Sequence, residues 1–185
     1  MTLIASFSHS FADSQRAFRL ILKAISKPGV KVTLPQIPVW GNASPAATAI
    51  LMTLVDRETP FWLDSSLGDE AMLENLQRFG ARTTAKAEAS VALLHAASDM
   101  AIAEFSPGDA PATVIIEVPA LSGGLTLRLS GPALRESRAV APKLPKAVLH
   151  YLRERVHSFP QPIDLIFTCG DQMMALPHTT NVVVC

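Results

Sequence analysis

Strand-like and helix-like segments alternate along most of this chain, and that alternation limits the possible folds more than any other feature. Thr113-Val-Ile-Ile-Glu-Val118 is dense in β-branched residues, which suits a strand. Ile163 to Cys169 and Met173 to Leu176 flank Gly170-Asp171, which predicts a hairpin. Between such runs the apolar period changes from 2 to 3.6 residues. Phe18, Ile21, Leu22 and Ile25 follow the Ser10-Phe-Ala-Asp13 start signal, and Pro28-Gly29 stops the helix they predict.

Further elements fit the same rhythm. Val30, Val32 and Leu34 alternate with polar residues, and Pro35 and Pro38 put this strand at a sheet edge. Ser44-Pro45 opens a helix over Ala46 to Leu54. Phe61-Trp62-Leu63 forms a short strand, and Asp69 to Phe79 a helix closed by Gly80. Val91 to Leu94 is a strand, followed by a short helix around Asp99 to Phe105 and a turn at Ser106-Pro107-Gly108. Across Pro119 to Gly124, the alternating Leu125, Leu127 and Leu129 form the expected antiparallel partner of 113–118. Val148, Leu149, Leu152 and Val156 give a helix over Lys146 to Val156, ended by Phe159-Pro160, and Val182 to Val184 adds a last strand. With no repeat, low-complexity tract or dividing linker, the expectation is one domain over 1–185, an α/β fold whose mixed sheet has helices on both faces.

Composition narrows the partners. Sixteen basic and sixteen acidic residues cancel, which removes the field that nucleic acid or an anionic membrane would need. Charged residues are 17% of the chain against about 25% in an average domain, so a protein interface is expected, with a generous core as the plainer reading. No secretion signal or transmembrane run is read, and Cys169 and Cys185 form neither a disulfide framework nor a zinc pattern. A cytoplasmic protein is expected.

Motifs for a phosphate loop, a dinucleotide fingerprint, a nucleophile elbow and a zincin are absent. Ser122-Gly123-Gly124 would either offer backbone N–H groups to an anion or simply make a tight loop. His150 and His157, about 10 Å apart along one helix, cannot chelate one metal. Asp56, Glu58 and Asp64 bracket Phe61-Trp62 and would either meet at a cleft mouth for acid–base work or solvate a loop. His178 and Thr179, after Pro177, are candidates for touching a ligand or partner, or for satisfying a turn. No residue is assigned a catalytic, cofactor-binding or metal-binding role.

Phe18 to Gly29, Leu51 to Leu63, Leu121 to Pro132 and Phe159 to Thr180, taken in order, resemble PhnH, a family of subunits of the bacterial carbon–phosphorus lyase system. The resemblance implies a subunit of the core complex in phosphonate catabolism. That complex forms alpha-D-ribose 1-methylphosphonate 5-triphosphate from ATP and methylphosphonate with release of adenine, a transferase reaction. It also implies a fold like the large domain of pyridoxal-phosphate (PLP) transferases without the cofactor. The low surface charge fits burial in a complex and equally a homodimer, which is the state expected of the chain alone. ATP is then a substrate of the complex, and the partners are its other subunits. The family pattern has Arg in Pro-Arg-Thr-Thr where this chain has His178, exchanging a permanent charge for a titratable one. The alternatives are a purely structural homodimeric scaffold and an independent small-molecule enzyme.

Overall fold

The computed structural model describes residues 10–99, 101–105, 110–155 and 162–185. In chain order the elements are α1 (Ser10–Ser26), β1 (Val32–Thr33), α2 (Pro45–Leu54), β2 (Pro60–Leu63), α3 (Glu70–Arg78), β3 (Arg82–Thr83) and β4 (Val91–Leu94). There follow β5 (Ala112–Glu117), β6 (Leu127–Ser130), β7 (Arg138–Val140), α4 (Lys146–Glu154), β8 (Ile163–Cys169), β9 (Gln172–Leu176) and β10 (Asn181–Val184).

Seven strands form a mixed sheet in the order β1-β9-β8-β5-β4-β2-β3. The run from β3 to β8 is parallel, and β9 and β1 complete it antiparallel. Register places Leu63, Leu93, Ile115, Ile166 and Ala175 in one row across five strands. Leu93, Ile115, Ile166 and Ala175 face Ile21 and Ala24 of α1, Ile50 and Leu51 of α2, and Met72 and Leu76 of α3 in one core. The neighbouring positions Leu94, Ile116, Phe167 and Met174 form a second row and face the opposite core. There they meet Val148 and Leu152 of α4 and Leu127, Leu129 and Val182 of a separate antiparallel sheet ordered β10-β6-β7. Strands buried on both faces need continuous apolar runs, which explains why 113–116 and 163–167 show little polar alternation.

Most expected elements form. Ser44 caps α2 by accepting a hydrogen bond from the Ala47 N–H, and Gly80 ends α3 at φ +73°. The β8–β9 hairpin turns at Gly170, whose φ of +59° suits glycine. The hairpin tip also positions its neighbours: the Gly170 carbonyl accepts from Ala46 N–H and the Asp171 carbonyl from Leu34 N–H. β1 lies at a sheet edge, as its prolines require.

Two expectations change. The strand at 113–118 does not pair with 125–129: both edges of β5 are taken by parallel β4 and β8, while β6 joins β7 and β10. Local succession suggested a hairpin, but an evenly apolar strand is satisfied only in a sheet centre, whereas the alternating Leu127-Arg128-Leu129 suits a half-covered one. Helices do lie on both faces, α1 to α3 on one and α4 on the other, where the small sheet joins α4. The helix expected at 99–105 is reduced to a 3-10 turn at Ile102–Glu104. The turn at 106–108, His157 and the Phe159-Pro160 stop lie outside the described residues.

Because Phe167 is fully buried between β5 and β9, Phe167→Ala should lower unfolding free energy by about 3–5 kcal/mol in urea titration. Val183, 59% exposed, should change it by less than about 0.5 kcal/mol when replaced by Ala. Equal effects would contradict the face assignment.

Candidate functional site

The carboxyl ends of β2, β4, β5 and β8 lie on one edge of the sheet because these strands run parallel. The chain leaves β2 for β3 on one side and returns to β4 on the other, so the connections diverge between β2 and β4. Open parallel sheets bind ligands at such points. Here Asp64, just beyond β2, is buried and fully engaged. Its Oδ1 accepts from Ser66 N–H (3.1 Å) and Ser66 Oγ (3.0 Å), and Oδ2 accepts from His95 N–H (3.1 Å). His95 Nδ1 in turn accepts from Ala97 N–H at 3.0 Å. These bonds pin the ends of β2 and β4 and turn the following segment toward α4.

Between that segment and α4 lies a cleft of about 640 Å³. Ala97, Ile102, Ala147 and Tyr151 contribute an apolar lining, and Asp99, Lys146, His150 and Glu154 bring charged or titratable groups to it. Helical spacing produces this division. Val148 and Leu152 are buried, Ala147 and Tyr151 lie one turn apart, and Lys146, His150 and Glu154 form an adjacent stripe. On the loop side, Ile102 and Phe105 are buried, with Phe105 edge-to-face on Trp62 at 5.1 Å. The size and mainly apolar lining suit a small organic ligand whose polar ends reach the charged stripe.

Tyr151 is 8% exposed, and its buried hydroxyl makes no hydrogen bond of full geometry among the described residues, with the Arg155 side chain as its polar neighbour. Burial pushes its pKa up, opposed by the neighbouring Arg155 charge, which lies 6.0 Å from the ring centroid. Burial likewise pushes the Arg155 pKa down. Arg155 Nη2 donates to the Thr180 carbonyl at 2.6 Å, while buried Nη1 has no partner among the described residues. Asp164 at the start of β8 receives the His178 backbone N–H and lies against His178 Nδ1, both at 2.8 Å from Oδ1. The 177–180 turn is therefore fastened to both α4 and β8.

The residues singled out from sequence occupy separate places. Asp56 lies in the exposed turn before β2, where Thr59 Oγ1 (2.8 Å) and Glu58 N–H (2.9 Å) donate to its Oδ1 and hold its pKa down. Asp64 follows the far end of β2, so the two carboxylates do not meet at a cleft mouth; the strand between them separates them. Ser122, Gly123 and Gly124 form a loop against 141–143. Gly124 N–H donates to the Ala141 carbonyl at 2.8 Å, and a Cβ on Gly124 would fall 2.3 Å from the Pro142 carbonyl oxygen. That N–H is occupied by protein backbone. His178 and Thr179 share the turn described above, with Thr179 exposed. None of these residues lines the cleft along α4. Sequence reasoning missed Tyr151, and weighed His150 only as a metal ligand. The available signal was the stripe Lys146, His150, Glu154 beside Ala147 and Tyr151. Among the described residues, no group of three or more His, Cys, Asp or Glu side chains could hold a metal ion, and no helix is long and apolar enough to cross a membrane.

A family model described as bacterial phosphonate metabolism protein (PhnH) matches residues 5–183, and the chain belongs to that family. It is 30% identical, over 95% of both chains, to the alpha-D-ribose 1-methylphosphonate 5-triphosphate synthase subunit PhnH of Rhizobium meliloti (strain 1021). It is also 29% identical to a putative C-P lyase subunit protein, HtxG, of Stutzerimonas stutzeri, over 91% of this chain and 85% of that one.

Tyr151 is the chain's one tyrosine, so phenolate absorbance reports it directly. Its raised pKa favours the protonated phenol in the fold. That contribution to stability is complete below the ordinary value of about 10 and is lost as pH rises through the folded-state pKa. The native chain should titrate at higher pH than the chain in denaturant; an equal or lower midpoint would contradict the buried environment.

Proposed function

We propose that this chain is a subunit of the carbon–phosphorus lyase core complex in phosphonate catabolism. In this reading, it helps form alpha-D-ribose 1-methylphosphonate 5-triphosphate from ATP and methylphosphonate. A phosphonate oxygen forms a bond to ribose C1 as the C1–N bond breaks, and adenine leaves with the bonding electron pair and takes up a proton. Holding the oxygen and C1 in line is work that binding surfaces do. Near-full-length similarity to a relative named as a subunit of that synthase carries the reading.

The chain acts in the cytoplasm as one unit over 1–185, without independent activity, and its body is like the large domain of PLP-dependent transferases used without the cofactor. ATP is a substrate of the assembly, not a resident cofactor of this subunit. The cleft between Ala97 and Tyr151 is the part of a shared site that this chain supplies, because it offers a concave, mainly apolar surface beside polar groups. A specific observation favours a second role as a homodimeric scaffold: Phe18 and Leu22, one turn apart on α1, are 50% and 45% exposed.

The two roles separate in the co-expressed complex by assay of methylphosphonate-dependent adenine release. If the subunit completes the site, Ala147→Trp, which fills the cleft, should leave assembly intact and cut adenine release at least about tenfold. If it is only a scaffold, Ala147→Trp keeps full activity, and Phe18→Glu with Leu22→Glu disrupts assembly. Turnover by the purified chain alone would overturn the subunit reading.

A further inference from the structure

A second concave surface, distinct from the cleft, lies where the turn between α1 and β1 meets the small sheet. Lys27, Arg135 and Arg138 line a hollow of about 700 Å³, with Glu136 as the carboxylate in its lining. The ion pairs found among the described residues join Lys86 to Glu104 and His178 to Asp164, so none of these three cations is paired there. In a chain whose charges cancel overall, this is a local excess of positive charge.

The fold holds Arg138 in place. Its Nη1 donates to the Pro28 carbonyl at 2.6 Å, leaving the rest of the guanidinium fork for another acceptor. Beneath it the chain passes through Gly29 at φ +78°, where a Cβ would lie 2.7 Å from Leu129 Cδ1 and 2.9 Å from Val140 Cγ1. The missing Cβ lets the Pro28–Gly29 backbone approach the small sheet closely enough to anchor Arg138. Lys27 follows the carboxyl end of α1, where helix carbonyls attract a cation, and this explains one positive charge. It does not explain Arg135 and Arg138, which come from the other wall.

We propose that this hollow binds a ligand carrying a chain of phosphate groups. Arginine forks match phosphate oxygens in paired hydrogen bonds, and cations on two walls suit an anion bearing several charges. An acidic protein segment fits less well, because a protein interface draws its affinity from buried apolar or aromatic anchors, and Leu134, the one large apolar side chain in the lining, packs against the core. The inference does not depend on the subunit role.

Calorimetric titration of the full chain with inorganic tripolyphosphate at low salt tests it. Saturable binding that weakens with added salt is expected, with a loss of about tenfold for Arg138→Gln and a smaller loss for Lys27→Gln. Lys86→Gln, outside the hollow, should bind like the parent. Since Arg138→Gln also removes the bond to Pro28, the exposed Lys27 keeps the test sound if that variant folds poorly. No saturable binding, binding unchanged in well-folded Lys27→Gln and Arg138→Gln, or equally tight binding of a hexaglutamate peptide would each overturn the proposal.

Discussion

The register of the central parallel strands is the constraint on which the rest depends. Leu93, Ile115, Ile166 and Ala175 form a row toward the three-helix core, and Leu94, Ile116, Phe167 and Met174 form the adjoining row toward α4 and the small sheet. Side chains alternate along a strand, so a one-residue slip would exchange the two sets. Each face would then meet side chains of the wrong size: Ala175 would be exchanged for Met174 opposite the helices, and Ile166 for Phe167.

From that register follows the position of the cleft. β4 ends beside β2, Asp64 binds the His95 amide, and the chain turns back to pack Ile102 and Phe105 under the second face. α4 packs on that face through Val148 and Leu152, which leaves Ala147, Tyr151 and the Lys146–His150–Glu154 stripe along its side. The same packing encloses Tyr151 and Arg155 and makes the Thr180 carbonyl the acceptor for a buried cation. One face of the sheet thus carries the cleft, while the opposite core supports α1, with Phe18 and Leu22 partly exposed.

Segments whose signals are local were legible in sequence. Gly170-Asp171 between two apolar runs identifies the β8–β9 hairpin, because a short turn fixes which residues pair. Ser44-Pro45 and Gly80 mark helix ends through bonds made within a few residues. Thr113–Val118 was legible as a strand but not in its partners, since an evenly apolar run specifies burial without specifying neighbours. The small sheet joins residues near 128, 139 and 182, and the cleft joins 96–99 and 101–103 to residues of α4; neither pairing leaves a local trace. Tyr151 looked like an ordinary position on a helix face, and only the burial of its hydroxyl beside Arg155 in the folded chain distinguishes it.

The central functional claim is that the folded unit carries binding surfaces that work within a larger assembly. Native mass spectrometry of the chain expressed alone and together with the other candidate subunits tests this most directly. The account predicts stable incorporation into a larger complex in the second preparation and a homodimer in the first. A lone monomer or homodimer in both would contradict it and return attention to an activity of the chain by itself.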